Sequence, residues 1–234
     1  MAIGRIHSFQ SLGAVDGPGL RYVIFMQGCP YSCPYCHNPD TKSFLGGEEY
    51  TAEKIVKKVL RYRTYFGENG GVTLSGGEPL MQAEFAAELF EKLHEEGINT
   101  ALDTAAVMPG DSVKAVLKHT DTVLCDIKYP FKDECAEYFS VSLDNTLAFL
   151  SECDKAGINI ILRYVVVPDF NDSEKCIREL KKISEKFKNF EKIEFLPFHK
   201  MCIEKYKTLG IPFPLESTPE CTKERIEKCK AFLK

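Results

Sequence analysis

Apolar and polar positions along this chain follow two alternating rhythms. Short apolar runs at 22–26, 72–74, 98–102, 122–127, 159–167 and 192–196 read as buried strands. Between them lie stretches of helical period. Thr51 is placed to cap a helix reaching about Phe66, with Ile55, Val59, Tyr62 and Phe66 on one face. A helix over 81–95 carries Phe85, Ala86, Leu89, Phe90 and Leu93 together. Asn171-x-x-Glu174 resembles a capping box for a helix to about Phe187. Thr218-Pro219-Glu220 opens a last helix, 219–233, with Ile226, Cys229, Phe232 and Leu233 inward. Strands alternating with helices predict an α/β fold with parallel strands. No linker or repeat interrupts the pattern, so one domain over 1–234 is expected, with 1–20 as an N-terminal extension.

The polar residues sharpen this picture because they gather where the strands end. The first strand runs into cysteines, the second into Ser75-Gly76-Gly77-Glu78, the third into Asp103-Thr104 and the fourth into Asp126-Ile127-Lys128. The sixth ends at Pro197-Phe198-His199, while Arg163 sits further inside the fifth. Parallel-barrel enzymes build their sites at the carboxyl ends of their strands. Six such strands predict an incomplete (β/α)6 barrel, open on one side. Alternation in the fourth strand puts Leu124, Asp126 and Lys128 on one face and Val123, Cys125 and Ile127 on the other, so Cys125 is expected to be a buried, inert thiol.

Composition excludes several classes. Hydrophobic residues make up 44% of 234, enough for one sizeable core. A net charge of −4 gives no nucleic-acid footprint. No apolar run reaches the ~20 residues of a membrane span, and Met1-Ala2-Ile3-Gly4-Arg5 does not read as a secretory signal. A cytoplasmic chain is expected, a monomer without nucleic-acid or membrane partners. Ten cysteines in that compartment read as thiols and metal ligands rather than disulfides.

Three of the ten form the pattern Cys29-x3-Cys33-x2-Cys36 on a loop leaving the first strand. Three thiolates can hold three irons of a cubane cluster, which usually has four cysteine ligands. The missing fourth leaves an iron open for a substrate. The same residues admit other chemistry. Cys33-Pro34-Tyr35-Cys36 is a dithiol motif, Cys33-x-x-Cys36-His37 matches c-type haem attachment, and His37 offers a Cys3His zinc site.

The cysteine spacing with Tyr35 before the last thiol resembles the radical S-adenosylmethionine (SAM) superfamily. Four further stretches narrow the resemblance to its glycyl-radical-enzyme activases. They are Gly4-Arg5-Ile6-His7-Ser8-Phe9 with Val15-Asp16-Gly17-Pro18-Gly19; Tyr35-Cys36-His37-Asn38; Ser75-Gly76-Gly77-Glu78; and Arg163-Tyr164-Val165-Val166-Val167-Pro168. No cysteine falls between Cys36 and Gly76, so the ferredoxin-like insert of some activases is absent. That, with the intact Asp16-Gly17-Pro18-Gly19, points to the branch acting on pyruvate formate-lyase; another glycyl-radical enzyme is the alternative.

The resemblance implies a radical SAM barrel with a [4Fe-4S] cluster on Cys29, Cys33 and Cys36, and SAM chelating the open iron. One electron cleaves SAM, and the 5′-deoxyadenosyl radical removes hydrogen from a glycine of the partner. Gly76, Gly77 and Glu78 are implied at the methionine amino end, Lys128 at its carboxylate, Arg163 and His199 along the SAM pocket, and Tyr35 and Asn38 near the adenine. Asp103, Thr104 and Asp126 are implied around a monovalent cation, Na+ or K+, beside SAM. Asp16 is implied at the site mouth, on the substrate peptide. Reduced flavodoxin or ferredoxin is the expected electron donor. The sequence departs from the family at one turn, where Ala105-Ala106 replaces the usual Asn-Gly.

Overall fold

The structure, a computed structural model, describes residues 2–233. Its strands are β1 (Ile3–Gly13), β2 (Arg21–Met26), β3 (Glu48–Thr51), β4 (Gly71–Gly76), β5 (Asn99–Thr104), β6 (Thr122–Asp126), β7 (Asn159–Val166) and β8 (Phe190–Pro197). Its helices are α1 (Ala52–Val59), α2 (Ala83–Glu95), α3 (Asp111–Leu117), α4 (Lys132–Phe139), α5 (Leu143–Lys155), α6 (Glu174–Ser184), α7 (Ile203–Leu209) and α8 (Lys223–Phe232). The strands form one sheet in the order β3-β1-β2-β4-β5-β6-β7-β8. From β2 to β8 every pairing is parallel, and these are the six predicted strands. β3 and β8 do not pair with each other, so the curled sheet stays open.

Two faces of the sheet carry two different sets of residues. Ile24, Leu74, Leu102, Cys125 and Leu162 join the main core beneath the helices. Their neighbours Val23, Thr73, Ala101, Leu124 and Ile161 are equally buried but stand apart from that core, filling the barrel's interior. Cys125 therefore lies on the helix side, as strand alternation requires. The interior row continues upward through Phe25, Ser75, Asp103, Asp126 and Arg163, all bordering one cavity. Register explains Arg163, which pairs with Asp126 on one side and Glu194 on the other. It is level with the other strand ends because β7 extends beyond them.

The structure corrects several boundaries. The N-terminal extension is largely strand, since β1 pairs antiparallel with both β2 and β3. Register shifts between Ile6/Ser8 and Gln10/Gly13 break its alternation, which hides it from a period-2 reading. Thr51 does cap α1, but the α-helix stops at Val59 and a 3-10 stretch, Leu60–Tyr65, follows. Ser173, not Asn171, caps α6, its side chain accepting from the Cys176 amide. Asn171 is instead wholly buried and bridges the Val167 amide and the Val165 carbonyl. Thr222, not Thr218, caps α8. Helices α3, α4, α5 and α7 are too short or too weakly amphipathic to stand out in the sequence.

Candidate active site

A cavity of about 280 Å³ opens at the carboxyl ends of the parallel strands. The loop after β2 forms one wall. Its base is closed by backbone bonds from the Gly28 amide to the Thr41 carbonyl (2.7 Å) and from Cys29 to Lys42 (3.2 Å). Cys29, Cys33 and Cys36 all border the cavity, and none of the other seven cysteines does. Three contacts fix the loop from outside. The Tyr31 hydroxyl donates to the Ala106 carbonyl. The Ser32 amide donates to Phe139 (2.9 Å). The Tyr206 hydroxyl reaches the Cys36 carbonyl (3.1 Å).

The second wall is Gly76-Gly77-Glu78. A Gly-Gly pair after a strand admits close approach of a ligand, but here the close approach is by the chain itself. Gly76 has φ +101°, and a Cβ there would stand 2.6 Å from the Met26 nitrogen; at Gly77 it would stand 2.3 Å from the Gly28 oxygen. The amides of Gly77 and Glu78 donate to the carbonyls of Met26 and Gly28, each at 2.9 Å. The turn is thus fastened directly to the root of the cysteine loop. Glu78 is 1% exposed. Its carboxylate accepts from Leu80 N (3.0 Å), Thr104 Oγ1 (2.6 Å) and Ala105 N (3.0 Å). Burial outweighs these bonds and raises its pKa to about 7.

Charge is concentrated on the remaining wall. Lys128 Nζ donates to Asp126 Oδ2 (2.7 Å) and lies 5.9 Å from the centre of the Tyr35 ring. Burial alone would lower the Lys128 pKa, but Asp126 and the neighbouring Cys33 raise it, so the ammonium stays charged. Arg163 pairs with Asp103 (3.1 Å) and stands 4.0 Å from Glu194. Its Nε is buried without a hydrogen-bond partner. Burial raises the pKa of Asp103, against the pull of Arg163, and raises that of Asp16 likewise.

Most residues implied by the resemblance therefore meet around one space: the three cysteines, Tyr35, Asn38, Gly76, Gly77, Glu78, Asp103, Thr104, Asp126, Lys128, Arg163 and Asp16. Three details differ from expectation. His199 does not border the cavity; its ring stacks on His37 with centroids 4.1 Å apart, and its carbonyl contacts His37 Nε2 (3.0 Å). The candidate cation ligands do not form one set. Thr104 lies on the opposite face of β5 from Asp103, so its hydroxyl goes to Glu78, while Asp103 and Asp126 are engaged by Arg163 and Lys128. Asp16 sits deep in the cavity rather than at its mouth. Its carbonyl accepts from Thr73 Oγ1 (2.7 Å), two residues below Ser75 on β4. Lys42 and Tyr31, near the motifs but without a role implied in the sequence, also border the cavity, as does Ser75, which opens the Gly-Gly-Glu motif and donates to Asp103 Oδ2 (2.7 Å).

The turn at Ala105-Ala106, the one departure from the resemblance, is bonded at both residues. The Ala105 amide serves Glu78 and the Ala106 carbonyl serves Tyr31. Ala106 does this with φ +69°, a left-handed conformation that glycine adopts without strain.

The geometry separates the competing chemistries of the cysteine loop. A dithiol catalyst needs a thiol of lowered pKa, commonly at a helix N-terminus. Here Cys33 and Cys36 lie in turn and irregular backbone. Burial pushes all three thiols up, Cys29 to about 12. Among the described residues no three His, Cys, Asp or Glu side chains converge on a point where one metal ion could bind. That does not fit a single tetrahedral zinc ion. Three thiols spaced around a cavity, with no fourth cysteine, do fit a cubane that takes one thiolate per iron.

Residues 23–180 match the radical SAM superfamily. The whole chain aligns with a pyruvate formate-lyase-activating enzyme of Clostridium pasteurianum, 43% identical and covering 100% of this chain and 98% of that one. Its counterpart in Staphylococcus aureus is 39% identical, covering 100% of this chain and 96% of the relative. The crystal structure of a radical SAM methyltransferase from Sphaerobacter thermophilus superposes with a TM-score of 0.61, over 91% of this chain and 63% of that one. At 16% identity, that likeness is one of fold. No helix among the described residues is long and apolar enough to cross a membrane.

Proposed function

Because this chain belongs to the radical SAM superfamily and, within it, to the pyruvate formate-lyase-activating enzymes, we infer that its cavity binds SAM against a [4Fe-4S] cluster held by Cys29, Cys33 and Cys36. The protein is a radical SAM activase whose product is a glycyl radical on pyruvate formate-lyase. One observation carries the reading: three cysteines, and no fourth, border a cavity whose other walls are the Gly76-Gly77-Glu78 turn and two buried cations. When bound, the cluster supplies the electron that splits SAM into methionine and a 5′-deoxyadenosyl radical, which takes one hydrogen atom from the substrate glycine.

The chain's own residues bind, orient and exclude water. Gly76 and Gly77 offer bare backbone to the methionine amino end, while Glu78 anchors that backbone to the turn after β5. Lys128 and the unpartnered Nε of Arg163 provide positive charge for the methionine carboxylate. Tyr35 and Asn38 bound the adenine side of the cavity, and His199 supports that side through His37. Asp16 reaches the substrate peptide from below. Asp103 and Asp126, on the cavity wall beside Arg163 and Lys128, would hold a monovalent cation, sodium or potassium, next to SAM. No general acid or base is required, since a hydrogen atom rather than a proton moves. The electron comes from a small reduced carrier of the flavodoxin or ferredoxin kind.

The test is direct. Anoxic protein with reconstituted cluster, SAM and reductant should generate a glycine-centred radical in pyruvate formate-lyase, read by electron paramagnetic resonance. Loaded protein that cleaves SAM yet leaves pyruvate formate-lyase without a radical would redirect the assignment to another glycyl-radical enzyme.

A further inference from the structure

The three thiols sit on a loop with no regular structure between Gly28 and Asn38. Something outside the loop must set their spacing. Gln27, the last residue before it, is 4% exposed and joins four chain segments. Its amide donates to the Arg5 carbonyl (3.0 Å), and its carbonyl accepts from Gln82 Nε2 (2.9 Å). Its side chain reaches across the base of the loop. Nε2 donates to the Ser43 carbonyl (2.6 Å) and to the Asp40 carbonyl (3.2 Å), on either side of the Thr41 and Lys42 carbonyls that pair with Gly28 and Cys29. Gln82 closes the circuit from the turn that follows Gly76-Gly77-Glu78. Its Oε1 accepts from the Arg5 amide (2.7 Å), and its Nε2 also donates to the Arg5 carbonyl (3.0 Å).

The neighbourhood is built around this amide. A Cβ on Gly46 would stand 2.9 Å from Gln27 Nε2, and one on Gly47 would stand 3.0 Å from the Gln27 Cβ. A side chain at Gly46 would press on the amide itself, whereas Gly47 is held chiefly by its φ of +76° and the Ile6 carbonyl, 2.7 Å from where its Cβ would stand. The amide is held although its Oε1 is buried without a partner, a cost that apolar packing alone would not incur. The side-chain contacts of Gln27 join the two ends of the loop, while its backbone ties β1 and the Gln82 turn before α2 to the same point.

Resting on the reading that the three cysteines hold a cluster, we propose that Gln27 is a positioning residue for that cluster. Its carboxamide, braced by Gln82, clips the ends of the cysteine loop together and presets the separation of the three thiols. The loop then meets the iron–sulfur unit already ordered, and losing it requires the clip to open.

Gln27→Met tests this by keeping the volume and removing both donations. Iron release to a chelator is followed in the reconstituted, anoxic protein without SAM, alongside the melting temperature of the metal-free protein. The expected result is release faster by about tenfold, the factor that roughly one net hydrogen bond contributes to an equilibrium, with little change in melting. Gly46→Ala provides a second route, since its methyl displaces the amide while leaving Gln27 in place, and the same acceleration is expected. If Gln27→Met does not fold, Gly46→Ala alone decides. Wild-type release rates in these variants, or faster release only in step with a fall in melting temperature, would overturn the proposal. Failure of the wild type itself to retain iron and sulfide would instead overturn the underlying cluster reading.

Discussion

Arg21 and Arg163 are both buried, both on parallel strands and both turned into the barrel, but at opposite ends of it. Arg21 starts β2 and is 0% exposed. Its Nε donates to Thr73 Oγ1 (3.0 Å), Nη1 to Asn99 Oδ1 (2.7 Å), and its remaining donors reach the carbonyls of Pro18, Asn69, Val72 and Asn99. Among the described residues no carboxylate bonds to it. Burial lowers its pKa to about 10, which still leaves it charged at neutral pH. Arg163, at the carboxyl ends, faces the opposite situation. Carboxylates surround it, and one donor has no partner. A cation with every donor satisfied is committed to the fold. One with an idle donor beside a cavity retains capacity for a ligand. The barrel thus divides its labour by end, stability below and chemistry above.

Four substitutions probe this division. The largest effect belongs to the upper end: Cys29→Ala should abolish cluster assembly and SAM cleavage while leaving the melting of metal-free protein near wild type. Iron and sulfide analysis with a melting curve checks it, and retained dithiol turnover in this variant would contradict the assignment. Next, Arg21→Met should lower the unfolding free energy by about 3 kcal/mol, because several buried carbonyls lose their donor at once. Denaturant titration reads this, and SAM affinity in the protein that remains folded should match wild type. Arg163→Met should weaken SAM binding by about tenfold or more and cost less stability than Arg21→Met, because burial already raises the pKa of Asp103 and lets it take up a proton when its partner is gone. Equal losses of stability at Arg21 and Arg163 would erase the distinction between the ends. The smallest effect is expected from Ala106→Gly. Relief of the left-handed strain should raise stability by about 0.5–1 kcal/mol, seen as a small rise in melting temperature.

The same division explains what the sequence made legible. The upper end announces itself because its chemistry needs rare residue types in local patterns: three thiols within eight positions, a Gly-Gly-Glu turn, and an Asp-x-Lys whose alternation puts both charges on one face. The six parallel strands are equally visible as apolar runs. Arg21 carried no such signal, since its partners at Thr73 and Asn99 lie 52 and 78 positions away. β1 was hidden by its register shifts, and the stacking of His199 on His37 joins residues too far apart in sequence to be read from it. Gly76 and Gly77 were legible as glycines, but the reason for them was not. The chain that approaches them is β2, some fifty residues earlier along the sequence by rough count. Thr104 shows the same limit on a smaller scale. Its neighbour Asp103 faces the cavity, and strand alternation sends Thr104 the other way, to Glu78.

Three cysteines holding a four-iron cluster leave one iron open for SAM. That open iron is tested most directly by the electron paramagnetic resonance spectrum of anoxically reconstituted, reduced protein, recorded with and without SAM. A [4Fe-4S]+ signal whose shape changes when SAM is added is expected. A protein with its full content of iron and sulfide, demonstrably reduced, whose spectrum ignores SAM would contradict it.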